Sequence, residues 1–326
     1  MVLVIGTLKL RAAVRYGRLD RFVRLSAVWC DDRAVNDAAT SPPYAEPPPK
    51  SKVLAKAGAK TIAKADMIEG MAKGMAVLES FDPQRQRLNA TLAAERAGIT
   101  RAAARRHLLT LAHLGYLETD GSYFWLAAKV LRFSGSYLAT ARLPRAVQPT
   151  LNRLAAQSQQ AFSVAVLDGD EVVIVGRSGF EWKRGPQETN RPARVTAYGL
   201  HLGARLPAHA TSTGQVLLAA KTRTDLNHWL QSRGALGLPR LTHTTVTDMR
   251  QFKALIANVR ADDYAISSEA HELGVHALAI ALRNAQGLTV GALNVVTSGQ
   301  PPMAGALKRD LLPLLQDAAR ELRALL

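Results

Sequence analysis

Three helical patterns and one hairpin signal follow each other in the first half of the chain, and this order constrains the fold more than any other feature. Apolar spacing and end signals predict three short helices, over 67–81, 91–98 and 100–115. The dipeptide Asp120-Gly121 then lies between two β-prone segments, a strong signal for a β-hairpin. Three helices followed by a hairpin is the order of elements in a winged helix-turn-helix.

The third predicted helix mixes arginine and alanine on one face. Its sequence, over residues 98–117, is GITRAAARRHLLTLAHLGYL. On a helical wheel the core-facing residues are Ala104, His107, Leu108, Leu111 and Leu114. The residues on the opposite face are Ala102, Arg105, Arg106 and His113. Arg101 and Arg105 are one turn apart and repel each other slightly, an arrangement that is favourable when phosphate groups lie between them.

A groove-reading role explains this mixture of side chains. The second helix of a helix-turn-helix motif enters the major groove with its N-terminal residues at the base edges. Arginine bonds guanine in a bidentate way, while alanine contacts a thymine methyl group and allows close approach. The alternative is an amphipathic helix with a solvated basic face, and the hairpin after the helix favours DNA binding instead. The DNA-binding candidates are Thr91, Thr100, Arg101, Ala102, Ala103, Arg105, Arg106, Ser122 and Tyr123.

Charge and cysteine content point to the partner and the compartment. The 326-residue chain carries a formal net charge of +16, which predicts an anionic partner, either nucleic acid or a membrane surface. Its single cysteine, Cys30, excludes an internal disulfide framework and any multi-cysteine metal site, and is typical of a reducing compartment. No run approaches the roughly 18 apolar residues that a membrane-spanning helix requires. The sequence therefore predicts a cytoplasmic, DNA-binding protein without a metal or other cofactor.

Residues 1–66 have the composition of a linker. Consecutive prolines in SPPYAEPPPKSK forbid a helix, and the Ala/Lys stretch after them cannot bury enough apolar surface to fold. We therefore expect a basic, disordered tail that is dispensable for folding and for specific DNA binding. The predicted division of the chain is a tail over 1–66, a winged helix-turn-helix domain over 67–127, a linker helix over 128–144 and a C-terminal domain over 145–326.

The chain changes character after Pro144, which ends an amphipathic helix predicted over 126–143. Strand patterns then alternate with helical ones. The predicted strands are FSVAVLDG, EVVIVGRS, ARVTAYGL, YAISSE, HALAIALRN and LTVGALNVVT. The predicted helices lie near 146–158, 214–221, 248–261 and 303–326. Antiparallel-looking strand pairs with helices at the start, middle and end indicate one α+β domain of about 180 residues.

The segment LPAHATSTGQVLLA places three hydroxyl residues immediately before a helix that is predicted to open near Gly214. Free N–H groups and the positive end of the helix dipole favour a carboxylate at such a position. The alternative is ordinary N-capping, which needs only one of Thr211, Ser212 and Thr213. The residues alone leave both interpretations open.

Motifs typical of enzymes are missing or imperfect. The segment HELGVH over 271–276 resembles a zinc-protease motif, but its extra residue separates the two histidines by about 140° on a helix. Gly274 also favours a turn, so His271 and His276 are interpreted as ordinary surface or supporting histidines. Asp168-Gly169-Asp170 is a hairpin turn rather than a catalytic carboxylate pair. The chain is therefore not predicted to be an enzyme.

Several segments together resemble one known family. These are LAAERAGITRAAARRHLLTLAHLGYLETDGSYFWL, LPRAVQPTLNRLA, LGARLPAHATSTGQVLLA and SEAHELGVHALAIAL, in that order. They are similar to the IclR family of transcription regulators, particularly the branch that controls the β-ketoadipate pathway of aromatic acid breakdown. The resemblance implies an α+β chain with a winged helix-turn-helix, a linker helix and an α/β effector-binding domain of the GAF or profilin-like type. It also implies an activator that binds an operator in double-stranded DNA as a homodimer or a dimer of dimers.

The resemblance further implies a site for a small carboxylate effector, an aromatic acid or a β-ketoadipate-like compound. In IclR-type sensors the effector lies over the start of the central helix. The positions that correspond are Val195, Tyr198, Leu206, Ser212, Thr213, Ser267, Val275, Ala277, Asn294 and Val296. Strand periodicity supports part of this set, because Ala292, Asn294 and Val296 share one face and a buried asparagine needs a partner.

Two other functions remain as alternatives. The chain is an enzyme or a carrier of small molecules if the basic N-terminal region is incidental. It is a membrane-surface protein if the basic tail over 1–66 binds lipid. Binding to a DNA duplex that weakens as salt rises separates a regulator from an enzyme or carrier. Liposome binding that is lost when residues 1–66 are removed would identify a membrane-surface protein.

Overall fold

A computed structural model describes residues 63–82, 85–179, 201–234, 236–298 and 305–326. The strand predicted as ARVTAYGL and most of the predicted tail lie outside these ranges. The effector-site candidates Val195 and Tyr198 also lie outside them.

The N-terminal elements have the predicted order of three helices and a hairpin. The helices are α1 (Glu69–Leu78), α2 (Ala90–Ala97) and α3 (Arg101–His113), and the hairpin strands are β1 (Leu117–Thr119) and β2 (Phe124–Leu126). The two strands pair antiparallel, and the backbone of Leu88 bonds to Phe124 and adds a short third strand position. The small core between these elements consists of Val77, Leu88, Ala93, Ala94, Ala104, Leu108, Leu117 and Phe124.

Helix α3 begins as predicted and ends one residue earlier than its apolar pattern indicates. The Thr100 side chain accepts a hydrogen bond from the Ala103 N–H at 3.3 Å, which caps the helix. Gly115 adopts a φ of +77°, the left-handed conformation that commonly closes a helix. Leu114 is predicted to face the core but is 48% exposed, because it lies at the end of α3, beyond the buried positions Ala104 and Leu108.

The connection between the two halves differs from the single helix predicted over 126–143. A 3₁₀ turn (Ala128–Val130) leads into α4 (Leu131–Thr140), and Ala141 is extended with a ψ of 129°. Helix α5 (Arg142–Ser158) starts at the next residue. Pro144 therefore lies in the first turn of α5 rather than ending the preceding helix. A proline is tolerated there because N–H groups of the first turn have no intrahelical acceptor.

The C-terminal half is built on a six-stranded antiparallel sheet with the strand order β5-β4-β3-β8-β7-β6. The strands are β3 (Ala161–Asp168), β4 (Glu171–Arg177), β5 (Arg205–Pro207), β6 (Tyr264–Ser268), β7 (Val275–Arg283) and β8 (Thr289–Ser298). The turn between β3 and β4 is the predicted hairpin turn. The short strand β5 is absent from the sequence-based prediction.

Helices cover both faces of this sheet. One face packs against α6 (Ser212–Ala219), α7 (Arg223–Gly234) and α8 (Met249–Asp262). The other face packs against α5 and α9 (Leu312–Leu322), which comes after a π-helical turn at Leu307–Leu311. Strand β7 shows the alternation: Leu278 and Ile280 join the α5 side, while Ala279 joins the α6 side. Helix α7 was not predicted, because its sequence is mostly polar. Only Leu226, Trp229 and Leu230 of this helix are buried.

Candidate functional site

The start of α6 is the polar centre of the C-terminal half. This helix begins at Ser212, two residues before the predicted position, and all eight of its residues are buried. The Thr211 hydroxyl accepts a hydrogen bond from the Gly214 N–H at 3.2 Å and donates one to the Pro207 carbonyl at 3.1 Å. Thr211 is therefore the capping residue, which leaves the hydroxyls of Ser212 and Thr213 available for another role.

The Ser212 side chain is buried without a hydrogen-bond partner. It is 1% exposed, and within the part of the chain that the structure describes its Oγ meets no donor or acceptor. A buried hydroxyl that forms no hydrogen bond is unfavourable, and a bound ligand can supply the missing partner. Since the first N–H groups of a helix also lack intrahelical acceptors, the start of α6 offers both a hydroxyl and backbone donors.

A pocket of about 670 Å³, counted out to its open mouth, lies at this helix start. Its walls come from β3, β4, β5, β7, β8, the end of β6 and the loop between β6 and β7. The eight effector-site candidates that the structure describes all line it: Leu206, Ser212, Thr213, Ser267, Val275, Ala277, Asn294 and Val296. Apolar and polar side chains are both present among them, as expected for a site that holds a small organic molecule with a polar group.

Eight further lining residues were not selected from the sequence: Ser163, Ala165, Val172, Ile174, Ala210, Thr211, His271 and Glu272. Period-two alternation in FSVAVL places Ser163 and Ala165 on one strand face, so a signal for that pair was present. The position of this strand in the sheet could not be predicted, because a single sequence carries no signal for the pairing of distant strands. His271 and Glu272 belong to the segment that departs from the zinc-protease motif by one residue.

The floor of the pocket carries one buried polar pair. Ser163 on β3 and Asn294 on β8 are directly paired in the sheet. The Ser163 hydroxyl donates a hydrogen bond to Oδ1 of Asn294, and the two side chains are buried. Asn294 therefore points into the pocket beside Val296, as its strand period predicts, and Ser163 satisfies its amide oxygen.

Two histidines, His271 in the pocket wall and His209 just before the lining residue Ala210, have pKa values below the ordinary range. Burial lowers the pKa of His209, although a hydrogen bond between its Nε2 and the Pro239 carbonyl at 3.0 Å acts in the opposite direction. Burial, followed by repulsion from His209, also lowers the pKa of His271. Gly274 has a φ of +75°, so the HELGVH segment turns instead of forming a helix. Among the described residues, no three side chains of metal-ligating type come together.

The predicted DNA-binding residues lie on the surface of the N-terminal half. Arg101, Arg105 and Arg106 are exposed on α3, together with Ala102. Thr91 is exposed in the first turn of α2. In the hairpin, Ser122 is exposed and Tyr123 is 41% exposed, whereas Thr100 caps α3 and Ala103 is partly buried. The arginines are thus exposed where an anionic partner could reach them, while Leu108 of α3 packs inward.

The hairpin is braced by an arginine that was not selected from the sequence. The Arg87 guanidinium lies 4.7 Å from the centre of the Trp125 ring and pairs with the Asp120 carboxylate. Hydrogen bonds from the N–H groups of Tyr123 and Ser122 lower the pKa of Asp120 and keep it charged. This network fixes the turn that presents Ser122 and Tyr123.

Two family models match the chain, one to each half. The IclR helix-turn-helix domain matches residues 71–121, and the bacterial transcriptional regulator IclR C-terminal domain matches residues 135–324. The chain belongs to the IclR family. Its N-terminal half is therefore a DNA-binding helix-turn-helix domain, and its C-terminal α/β half is the effector domain of an IclR-type transcription regulator. The family consists of regulators rather than enzymes.

Similar proteins include two regulators of Acinetobacter baylyi. The p-hydroxybenzoate hydroxylase transcriptional activator is 51% identical over 260 residues, which is 80% of this chain and 92% of the relative. The Pca operon regulatory protein is 49% identical over 267 residues, 82% of this chain and 92% of the relative.

A solved structure of a transcriptional regulator from Rhodococcus sp. RHA1 superposes with a TM-score of 0.60. It is 36% identical and covers 79% of this chain and 97% of that chain. Among the described residues of this chain, no helix is both long enough and apolar enough to cross a bilayer.

Proposed function

We propose that this chain is a transcription activator of an aromatic-acid catabolic operon, and that it responds to a small aromatic carboxylate bound at the start of α6. The observation that supports this most directly is the Ser212 hydroxyl, which is buried at a helix N-terminus without a partner in the described residues, on a residue that lines the pocket. A carboxylate accepts hydrogen bonds from such a hydroxyl and from the N–H groups of the first turn.

The pocket walls suit an aromatic ring. Val172, Ile174, Leu206, Val275 and Val296 provide an apolar surface beyond the polar helix start. The relative at 51% identity is named for p-hydroxybenzoate hydroxylase, which makes p-hydroxybenzoate the first compound to test. A flat ring with one carboxylate uses the apolar walls and the helix start together.

The DNA partner is a double-stranded operator read by α3. We assign base contacts to Arg105 and Arg106 and a phosphate contact to Arg101, which lies at the first helical position beside the Thr100 cap. Thr91, Ala102, Ala103, Ser122 and Tyr123 complete the proposed contact surface.

The active form is a homodimer or a dimer of dimers. Large apolar side chains on α1 and α4 lie in the solvent: Ile68 next to α1 is 70% exposed, Met71 is 69% exposed, and Leu131 and Phe133 on α4 are 65% and 61% exposed. Such a concentration of exposed apolar surface is typical of a subunit interface. Light scattering of the full chain tests this, and a strict monomer with and without DNA contradicts it.

A ligand screen by thermal shift tests the effector assignment. We expect p-hydroxybenzoate to raise the melting temperature of the full chain, because a ligand that binds the folded state stabilises it by mass action. Benzene, which lacks the carboxylate, serves as the control and leaves the melting temperature unchanged. The proposal fails if no aromatic acid shifts the melting temperature at millimolar concentration. Duplex binding at two salt concentrations tests the DNA assignment in parallel.

A further inference from the structure

The loop between β6 and β7, residues 269–274, carries two residues of the pocket wall, His271 and Glu272. Its backbone is folded tightly. The Glu269 N–H donates to the Val275 carbonyl at 2.7 Å, and the Glu269 carboxylate accepts from the Gly274 N–H at 2.8 Å. Glu269 also has a φ of +56°, a left-handed conformation that is unfavourable for a residue with a side chain. Contacts from outside the loop must therefore help to maintain this shape.

Three threonine hydroxyls supply these contacts. Thr244 donates a hydrogen bond to the Ser268 carbonyl at 3.2 Å. Thr242 donates to the Glu269 carbonyl at 2.6 Å. Thr245 donates to the next carbonyl in the chain, that of Ala270, at 2.7 Å. The three threonines thus bind three successive carbonyl groups, which lie directly before His271.

The hydroxyls are themselves held in place by their own segment. Thr245 is 4% exposed, and its Oγ1 accepts hydrogen bonds from the N–H groups of Leu241 at 3.1 Å and Thr242 at 2.8 Å. The Thr242 Oγ1 accepts from the Thr244 N–H at 3.2 Å. The Thr242 Oγ1 also lies 3.1 Å from the Thr244 Oγ1 and 3.2 Å from the Thr245 Oγ1. Since the Thr242 and Thr245 oxygens accept hydrogen bonds from backbone N–H groups, each has its proton to donate, and the loop carbonyls are its shortest acceptors.

We propose that Thr242, Thr244 and Thr245 form a latch that positions His271 and Glu272 in the pocket wall and thereby sets the affinity for the effector. The threonines do not line the pocket, so they act through the loop. This inference rests on the proposed function, because it assumes that the pocket is the effector site. Without the latch the strained loop relaxes, and the effector has to order it again when it binds, which weakens binding.

The test uses the full chain and a set of matched threonine variants. Thr245→Val keeps the shape of the side chain but removes the hydroxyl, and Thr245→Ser retains the hydroxyl. Thr242→Val provides a second, less buried site if Thr245→Val does not fold. Thr222→Val is the control, because its hydroxyl bonds the Asp225 carboxylate at 2.8 Å at the start of α7, away from the loop. The readouts are p-hydroxybenzoate affinity by calorimetry and hydrogen exchange of the amides of residues 268–275.

We expect Thr245→Val and Thr242→Val to exchange faster in the loop and to bind p-hydroxybenzoate about tenfold more weakly, as loss of one hydrogen bond predicts. Thr245→Ser restores both values, and Thr222→Val changes neither although its melting temperature falls. Unchanged loop exchange in both valine variants overturns the latch. Faster exchange with unchanged affinity overturns its role in binding. If the unmodified chain does not bind p-hydroxybenzoate, the effector assignment fails together with the effect on affinity, while the exchange data still decide whether the hydroxyls hold the loop.

Discussion

Helices α3 and α6 begin with the same threonine cap, and we propose that their starts bind two different anions. Thr100 caps α3 through the N–H of Ala103, and Thr211 caps α6 through the N–H of Gly214, with the same three-residue spacing. The two helices differ in the residues after the cap. Helix α3 continues with exposed arginines, whereas α6 contains no charged residue and is buried over its whole length.

On the proposed assignments, burial and charge, rather than the cap itself, determine which anion a helix start binds. A polyanion such as DNA stays largely solvated, so it is met by exposed cations whose binding depends on salt. A single small carboxylate that leaves water is better met by neutral hydroxyls and fixed N–H groups, which need no counter-ion of their own.

Substitution of the third residue after the cap should give the largest difference in stability between the two helices. A Cβ at Gly214 would lie 2.1 Å from the Ala208 carbonyl oxygen and 2.3 Å from its Cα, so Gly214→Ala forces rigid backbone apart. We expect a loss of about 3 kcal/mol or more in the free energy of unfolding. The reciprocal change in α3, Ala103→Gly, should lose only about 1 kcal/mol. Chemical denaturation monitored by circular dichroism measures both, and similar losses would contradict the packing argument.

Removing single arginines from α3 should separate two kinds of DNA contact. Arg105→Ala or Arg106→Ala should weaken operator binding by about 1–3 kcal/mol and relax specificity at one base position. Arg101→Ala should weaken binding to all duplexes alike and lower the salt slope by about one. Affinities for operator and random duplexes across a salt series provide the measurement. If all three variants lose the same affinity for operator and random duplexes, α3 binds DNA only through its charge and does not read bases.

Removing the Ser212 hydroxyl should affect binding without affecting stability. Ser212→Ala deletes a buried hydroxyl that has no partner in the described residues, so the free energy of unfolding should stay the same or rise slightly. Affinity for p-hydroxybenzoate should fall about tenfold. Thr211→Ala is the matched comparison, because loss of the cap should lower stability by about 1 kcal/mol. Calorimetry and denaturation of both variants test this, and the idea is wrong if Ser212→Ala lowers stability as much as Thr211→Ala.

Acidification should lower the free energy of unfolding through two histidines near α6. Burial lowers the pKa of His209 and His271 below the ordinary value of 6.5, so the unfolded chain takes up their protons first as the pH falls. The free energy of unfolding should therefore decrease below about pH 6.5, by at most about 1.4 kcal/mol per pH unit for each histidine. His209→Gln should flatten this dependence. A slope between pH 7 and 5 that is identical in the two proteins would falsify the assignment.

The sequence predicted the elements that are determined by interactions between neighbouring residues. The Thr100 cap, the hairpin turn at Asp120-Gly121 and the alternation around Asn294 are all present. Each of these depends on neighbouring residues only, because a cap, a turn or a strand face is decided within a few positions.

The features that were missed depend on contacts between distant segments. Ser163 and Asn294 are 131 positions apart, and only the sheet register joins them. Pro144 is typical of a helix end, but the same residue type is also tolerated in the first turn of a helix, and it lies in the first turn of α5. The lining role of His271 depends on a loop conformation held by threonines about 27 positions earlier, as in the bond from Thr242 to Glu269.

The single extended residue Ala141 is the only non-helical position between α4 and α5, so a change in its dihedrals changes the angle between the two helices. Helix α5 is fixed to the sheet by Val147, Leu151 and Leu154, which have no exposed surface, and α4 continues from it across a single non-helical residue. Its ten residues extend about 15 Å from that point. A rotation of about 20° about the Ala141 dihedrals moves the far end of α4 by about 5 Å, more than the rise of about 3.4 Å between neighbouring base pairs. A small change in the Ala141 dihedrals would thereby be magnified into a displacement larger than the spacing of neighbouring base pairs.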